Sequence, residues 1–309
     1  MIVVRFTGGL GNQMFQYALY RYLKRRYPQE TVRADTSWYS WNTAHQGFEL
    51  TKLFKRESNP AFELDEATTG DVFRVSGKLP QKNEAVRYIN RLVRLFAGKS
   101  FEEKHIFEDG HEHSHEELRR KIDNIPKGRD AYITGYFLDE IYYRDNLEEL
   151  RRCFTFDISR LSDENQNLLN EIGSCASVSI HVRRGDYLSK TYSAAFKVLA
   201  QDYYQQAVEY LRERVNEPRF YIFSDDTEFA QAAFEYIDNK KVVTGNSGAD
   251  SYIDMLLMSR CAHNITANST FSEWAGLLNS SREAIIIYPR EYLSDKDSEI
   301  KTLDGWIRI

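Results

Sequence analysis

The stretch Ser179-Ile180-His181-Val182-Arg183-Arg184-Gly185-Asp186-Tyr187 sets an imidazole, two guanidiniums and a carboxylate in close succession at the end of an extended run. Guanidinium forks engage phosphate oxygens two at a time, and in open α/β sheets ligands lie just beyond the carboxyl ends of strands. The pattern predicts an anion site with Arg183 as its first ligand. The preceding residues 177–182 alternate small or polar with β-branched side chains, which reads as a strand. Its alternation places Val178, Ile180 and Val182 on one face, puts His181 and Arg183 together on the other, and turns Arg184 away.

Three further polar clusters sit at similar junctions. The turn Thr7-Gly8-Gly9-Leu10-Gly11-Asn12-Gln13-Met14 follows an apolar run. Gly9-x-Gly11-x-x-Met14 matches the start of a dinucleotide fingerprint, with Met14 where the third glycine belongs and Asp35 near the place of a ribose-binding acid. A nicotinamide oxidoreductase is therefore one reading. A tight strand-to-helix turn with Asn12 as N-cap is a second, and an exposed Asn12-Gln13 pair that lets a ligand approach the backbone is a third. The second cluster, Phe223-Ser224-Asp225-Asp226, delivers two carboxylates to a strand end. Asp225 with Glu228 fits a capping box, and the other acid is suited to accept from a base edge such as the N1 and N2 groups of guanine. The third, Asn268-Ser269-Thr270-Phe271-Ser272-Glu273-Trp274, offers Thr270 and Glu273 as a capping box, or else open N–H groups that join Arg183 in a diphosphate clamp. Asp295-Lys296-Asp297 and the alternating His111, His113 and His115 read as solvated surface.

These clusters must be positioned by regular elements. From Ser177 onward the pattern predicts strands at 177–182, 219–223, 240–243, 263–267 and 284–288. Helices at 202–215, 226–237, 250–260 and 271–279 alternate with them, a parallel, doubly wound sheet. The first 35 residues repeat that grammar: a strand at 1–6, an amphipathic helix from Asn12 to Tyr27 stopped by Pro28, and a strand from Thr31 to Ala34. Residues 55–130 are polar and weakly periodic, with one helix around 88–96 expected among loops. A strand at 132–137 and a helix over 139–152 follow. Two α/β halves joined near residue 155 is the simplest architecture.

A chain of 309 residues with 42% hydrophobic and 28% charged residues is that of a folded globular protein, and its formal charge of −5 speaks against general affinity for nucleic acid. Cys153, Cys175 and Cys261 lack any metal or disulfide spacing, which points to a reducing compartment and ordinary thiols. The N-terminus turns into glycine too early for a signal peptide, and no stretch approaches the ~20 apolar residues of a membrane span. The reading is a cytoplasmic protein, peripheral contact with the inner face of the membrane being compatible with it. Asn264, Asn268 and Asn279, which open N-x-[ST] triplets, are expected to be chance matches.

Gly8 to Ala18, His181 to Tyr187, Phe223 to Asp226 and Asn268 to Trp274, taken in that order, resemble glycosyltransferase family 11, the α-1,2-fucosyltransferases. The resemblance implies an α/β GT-B architecture of two Rossmann-like domains facing each other across a cleft. It implies residues 1–155 as the acceptor side and 156–309 as the GDP-fucose-binding domain. The activity implied is inverting transfer of L-fucose from GDP-L-fucose to the 2-hydroxyl of a terminal β-galactoside, on an oligosaccharide or a lipid-linked glycan. No metal or other cofactor is implied. Arg183 would hold the donor's β-phosphate with His181 beside it, Arg184 would be structural, and Asp225 or Asp226 would read guanine. Ser269, Thr270 and Phe271 would present backbone N–H groups to the diphosphate, and Gly9, Gly11, Asn12 and Gln13 would lie near the reacting centre. Asp186 is the nearest carboxylate to act as general base, or else it pins Arg184 and its loop. Leu138 stands where such sequences usually carry glutamine after Gly135-Tyr136-Phe137, which bears on the acceptor side alone. Another GDP-sugar-dependent linkage, and a non-catalytic nucleotide-binding module, are the alternatives.

Overall fold

The computed structural model describes residues 1–42, 45–80, 83–108, 115–185, 187, 198–290 and 303–309. The chain divides into two units, Met1–Thr155 and Phe156–Ile309, each built on a parallel sheet.

In the first unit the elements run β1 (Ile2–Arg5), α1 (Leu10–Arg26), β2 (Val32–Asp35), α2 (Leu50–Phe54), α3 (Thr69–Ser76) and α4 (Glu84–Glu102). They continue through β3 (His105–Phe107), α5 (His115–Asp123), β4 (Ala131–Thr134) and α6 (Leu147–Cys153). The strand order is β2-β1-β4-β3, so the winding reverses between β1 and β4. Helix α1 differs from the amphipathic expectation: it is buried almost all round, from Leu10 to Tyr20 with Asn12 the partly exposed exception. That is tolerable because its polar atoms find partners, the Tyr17 hydroxyl donating to the Glu63 carbonyl at 3.1 Å and the Tyr20 hydroxyl to Asp65 at 3.2 Å.

The polar stretch 55–130 is more ordered than its composition suggests. Thr68 and Asp71 form a reciprocal capping box on α3, and Gly77 ends that helix at φ +68°. The helix expected at 88–96 spans the whole of α4. The one expected over 139–152 is instead broken into 3-10 turns at Glu140–Tyr142 and Arg144–Asn146 before α6. Adjacent Tyr142 and Tyr143 are both buried, against Tyr22 and Phe15 respectively, and the tighter turns let both reach their partners. Of the histidine alternation, His111 and His113 lie outside the described residues, as do Asp295 and Asp297.

The second unit runs α7 (Asp163–Gly173), β5 (Ser177–Val182), α8 (Gln201–Arg212), β6 (Arg219–Ser224), α9 (Thr227–Ala233) and β7 (Lys240–Val242). After these come α10 (Tyr252–Arg260), β8 (His263–Ile265), α11 (Thr270–Leu278), β9 (Ile286–Tyr288) and β10 (Ile307–Arg308). The order β10-β9-β8-β5-β6-β7 is parallel throughout and reverses between β5 and β8.

Strand β5 is buried along its whole length, as a central parallel strand should be. Val178, Ile180 and Val182 pack with Tyr204, Ala207, Val208 and Leu211 of α8. The polar alternates are satisfied internally: Asn264 donates to Ser179 Oγ at 2.7 Å, Asn279 donates to Asn264 Oδ1 at 2.8 Å, and the Ala262 amide donates to Ser177 Oγ at 3.0 Å. Asn264, Asn268 and Asn279 are buried, so none is a glycan acceptor in the folded chain. All three cysteines are free thiols. No helix among the described residues is long and apolar enough to cross a membrane.

Candidate functional site

Beyond Val182 the chain passes over the end of β6, where Asp225 holds it in two ways. One carboxylate oxygen accepts the Arg184 amide at 2.9 Å, and the other pairs with Arg183 Nη1 at 3.1 Å. Gly185 lies close enough that a Cβ there would come within 3.0 Å of Asp225 Oδ2, so the approach needs a glycine or some give. Asp226 caps α9 by accepting the Phe229 amide at 3.0 Å and also pairs with Arg184 Nε at 3.3 Å. The Arg184 guanidinium stacks on the Phe229 ring at 3.6 Å. The two arginines therefore divide: Arg184 is buttressed, whereas Arg183 is about 30% exposed and sits over the Tyr187 ring at 5.9 Å. The capping position expected at Asp225 falls one residue later because β6 extends through Ser224.

Opposite β5, across the point of reversed winding, the chain turns from β8 into α11. Ser269 is its N-cap, one residue before the expected Thr270, and the Ser269 side chain makes no cap. The first helical bond runs from the Glu273 amide to the Ser269 carbonyl at 3.0 Å. That leaves the amides of Thr270, Phe271 and Ser272 outside the helical ladder, at the positive end of α11. The Ser269 amide, by contrast, already donates to the Ala267 carbonyl at 2.8 Å. The expected trio of donor amides is thereby reduced to Thr270 and Phe271.

His181 stands between these two loops, its ring 5.8 Å from that of Phe271. It is 5% exposed, and its Nδ1 has no hydrogen-bond partner among the described residues. Burial, then the neighbouring Arg183 cation, push its pKa down to about 4, with Asp225 acting the other way. The imidazole is neutral at pH 7.

Sequence reasoning missed the tyrosines that hold these strand ends. Tyr187 donates to the Asn268 carbonyl at 2.8 Å and so ties the arginine loop to the start of α11. From α8, Tyr204 donates to the His181 carbonyl at 3.2 Å and Tyr203 to the Thr266 carbonyl at 2.6 Å. A pair of adjacent tyrosines in the first turn of a helix was the available signal, but their partners lie far along the chain. Asp186 lies outside the described residues.

The remaining predicted residues belong to the first unit. Helix α1 begins at Leu10 with Gly9 as its N-cap, so Asn12 is not the cap. Gln13 is fully buried, not exposed: its amide donates to the carbonyls of Gly8 at 3.1 Å and Gly47 at 2.9 Å, and its oxygen accepts the Glu49 amide at 2.8 Å. Tyr39 adds a second donor to the Gly8 carbonyl at 2.9 Å. Burial raises the pKa of the Glu49 carboxyl to about 7, with Lys52 and the Leu10 amide acting the other way. Gly8 has φ +81°, and a Cβ there would lie 2.5 Å from Asn12 Nδ2. Gly11 is inside the helix. Asp35 is buried and accepts from Ser37 N at 2.9 Å and Tyr132 Oη at 2.5 Å, so the nicotinamide reading loses its ribose ligand.

Comparison with known proteins agrees with this arrangement. A model of glycosyl transferase family 11 matches residues 1–309. The chain is 28% identical over 313 residues to the O-antigen biosynthesis glycosyltransferase WbnK of Escherichia coli, covering 98% of each. It is 32% identical over 328 residues to the α-1,2-colitosyltransferase of Escherichia coli, covering 100% of this chain and 99% of that one. The galactoside 2-α-L-fucosyltransferase SEC1 of Bos taurus is 31% identical over 173 residues, 54% of this chain and 46% of its own length. Among solved structures, the NodZ α-1,6-fucosyltransferase soaked with GDP-fucose superposes with a TM-score of 0.54 at 18% identity, covering 90% of this chain and 92% of that one. The fold is α/β of the GT-B class, with two Rossmann-like units.

The neutral, buried His181 has a consequence for stability. Its folded pKa lies below the unfolded value of ~6.5, so it stabilises fully above ~6.5, and that contribution is lost as pH falls toward about 4. Glu49 and Asp254, both raised to about 7 by burial, act oppositely, losing stabilisation as pH rises toward 7. The comparison must therefore be between wild type and His181→Asn. In urea titrations the wild type should lose stability faster between pH 6.5 and 4.5, by up to ~1.4 kcal/mol per pH unit. Parallel curves would mean that the imidazole is not held neutral.

Proposed function

The chain belongs to glycosyltransferase family 11, and within that family we propose that it transfers L-fucose from GDP-L-fucose to the 2-hydroxyl of a terminal β-galactoside, with inversion and without a metal. One observation carries this reading: Arg183 follows β5 at the winding reversal of the second sheet, where α11 also begins after the neighbouring β8. This is where an open α/β sheet binds a diphosphate.

In the proposed reaction the bond from the fucosyl anomeric carbon to the β-phosphate oxygen breaks, and its electron pair stays on GDP. The acceptor's 2-oxygen bonds to the opposite face of that carbon and gives up its proton. Arg183 and the Thr270 and Phe271 amides stabilise the charge growing on the β-phosphate, a task in which one preorganised donor contributes roughly 3 kcal/mol. Neutral His181 has an unpartnered ring nitrogen to offer beside them. Asp225 and Asp226 already hold the two arginines, so guanine recognition by either carboxylate has to use its remaining acceptor capacity. Because Arg184 is held by Asp226, Asp186 is not required to pin it and is assigned the proton. The acceptor is assigned to the first unit, where Thr7, Gly9 and, in the first turn of α1, Asn12 are partly exposed.

Full-length likeness to the α-1,2-colitosyltransferase favours a second reading of the donor: the sugar is the 3-deoxy counterpart of fucose, carried to the same acceptor position. Purified protein should release GDP from GDP-fucose only when a β-galactoside is present, with a chelator in the buffer, and NMR of the product should show the α-1,2 linkage. Preference for the GDP-linked 3-deoxy sugar would transfer the assignment to the second reading, and dependence on added divalent metal would remove the metal-free part.

Arg183→Ala should lower turnover by ~100-fold or more, and Arg183→Lys should not restore it, since the bidentate fork is lost. Near-normal rates in either folded variant would sink the role given to Arg183. For Asp186→Asn, the acid limb of the pH–rate profile should disappear; an unchanged limb excludes Asp186 as base.

A further inference from the structure

We propose that α4 docks the protein on an anionic lipid bilayer, a property that stands apart from the sugar chemistry above. The helix turns one narrow face inward: Val86, Asn90 and Val93 are partly buried, and Asn90 exchanges hydrogen bonds with the Leu79 backbone at 2.8 and 2.9 Å. A stripe running from beside that face round to the far side carries Tyr88, Ile89, Leu92, Leu95 and Phe96, exposed by 62, 42, 37, 73 and 88%. Outward positions of a helix in water ordinarily carry polar side chains, and a contiguous set of large exposed apolar groups marks an interaction surface.

A second stripe runs alongside the first. Arg87, Arg91 and Arg94 recur at helical spacing, and from Val86 to Phe96 the sequence holds these three arginines and no acid, in a chain of formal charge −5. Arg87 reaches back to Glu84 at 2.9 Å, whereas Arg91 and Arg94 have no acidic partner among the described residues. Lys78 adds positive charge nearby: burial, then Arg5 and Arg94, hold its pKa below the usual lysine range.

Charge decides the occupant. A basic row flanking an apolar row on one helix suits the headgroup boundary of an anionic bilayer, where the apolar side chains enter the acyl region and the arginines meet phosphates. An antiparallel second copy would bring two arginine rows to the same edge, where they repel.

The full chain should be sedimented with vesicles of phosphatidylcholine containing phosphatidylglycerol, and with phosphatidylcholine vesicles alone. Binding should be at least ~10-fold stronger to the anionic vesicles and should weaken with salt. The double variant Leu95→Glu with Phe96→Glu should bind at least ~10-fold more weakly, as should Arg91→Ala with Arg94→Ala, while circular dichroism spectra remain unchanged. The idea is overturned if wild type ignores anionic vesicles, or if the folded Leu95/Phe96 variant binds as well as wild type. It is equally overturned if wild type is a dimer by sedimentation equilibrium and that variant a monomer, which would give the face to a second copy. Since vesicle binding is read without any sugar donor, its failure and a failure of the proposed reaction are separate results.

Discussion

Asp225 is the group on which the second unit's ligand edge depends. It accepts the backbone amide of Arg184 and pairs with the side chain of Arg183, so one carboxylate fixes both the path of the loop and the aim of its guanidinium. A long arginine side chain loses roughly 2 kcal/mol of rotamer freedom when ordered. A partner that orders it before a phosphate arrives removes part of that cost from binding. Asp225 also nearly cancels the charge that an anion would seek. A diphosphate must therefore compete with it, or share the guanidinium, which has donors enough for both. Gly185 allows the carboxylate this close.

The other ties act on the same edge from behind. Tyr204 and Tyr203 bind strand-end carbonyls of β5 and of the segment after β8, and Tyr187 bridges from the arginine loop to Asn268. Carbonyls at the carboxyl end of a parallel sheet run out of ladder partners, and buried ones must find a donor elsewhere. Here the donors are tyrosine hydroxyls, whose rings also fill the α8 side of the core. Satisfying the backbone and holding the two loops in register are thus one act.

The second unit was largely legible because its central strand β5 is buried on both faces and carries β-branched residues at alternate positions, so it begins and ends where its alternation does. Helix α7 and the two-residue edge strand β10 lie outside the predicted elements, and the other corrections are local. The cap of α9 is Asp226 rather than Asp225, since a two-acid run does not say at which residue the strand lets go. The first unit was harder. Gln13 looks like a polar residue offered to solvent, yet its partners Gly47 and Glu49 approach only once the chain has folded back. Helices α3 and α5, and strand β3, lie in a stretch whose composition resembles loop, and they are held by caps and tertiary contacts that a periodicity argument does not weigh.

The two units share a strand-turn-helix grammar, and comparing their helix starts separates their chemistry. At α1 the Gly8 carbonyl is taken by Gln13 and Tyr39, and the Gln13 oxygen accepts the Glu49 amide. The polar groups of that turn are thus partnered from within the first unit. At α11 the Ser269 side chain makes no cap, Glu273 places a buried carboxyl in the first turn, and the loop beyond β5 carries the Arg183 cation. The proposed anion site therefore rests on the Arg183 guanidinium and not on a helix start alone. The glycines after β1 are explained by closure: Gly8 adopts a left-handed φ of +81° and Gly9 packs against His45, whose Nδ1 would lie 3.3 Å from a Cβ. The same motif letters that suggest a phosphate cradle here build a self-filled turn, which is why the anion site is proposed for the second unit.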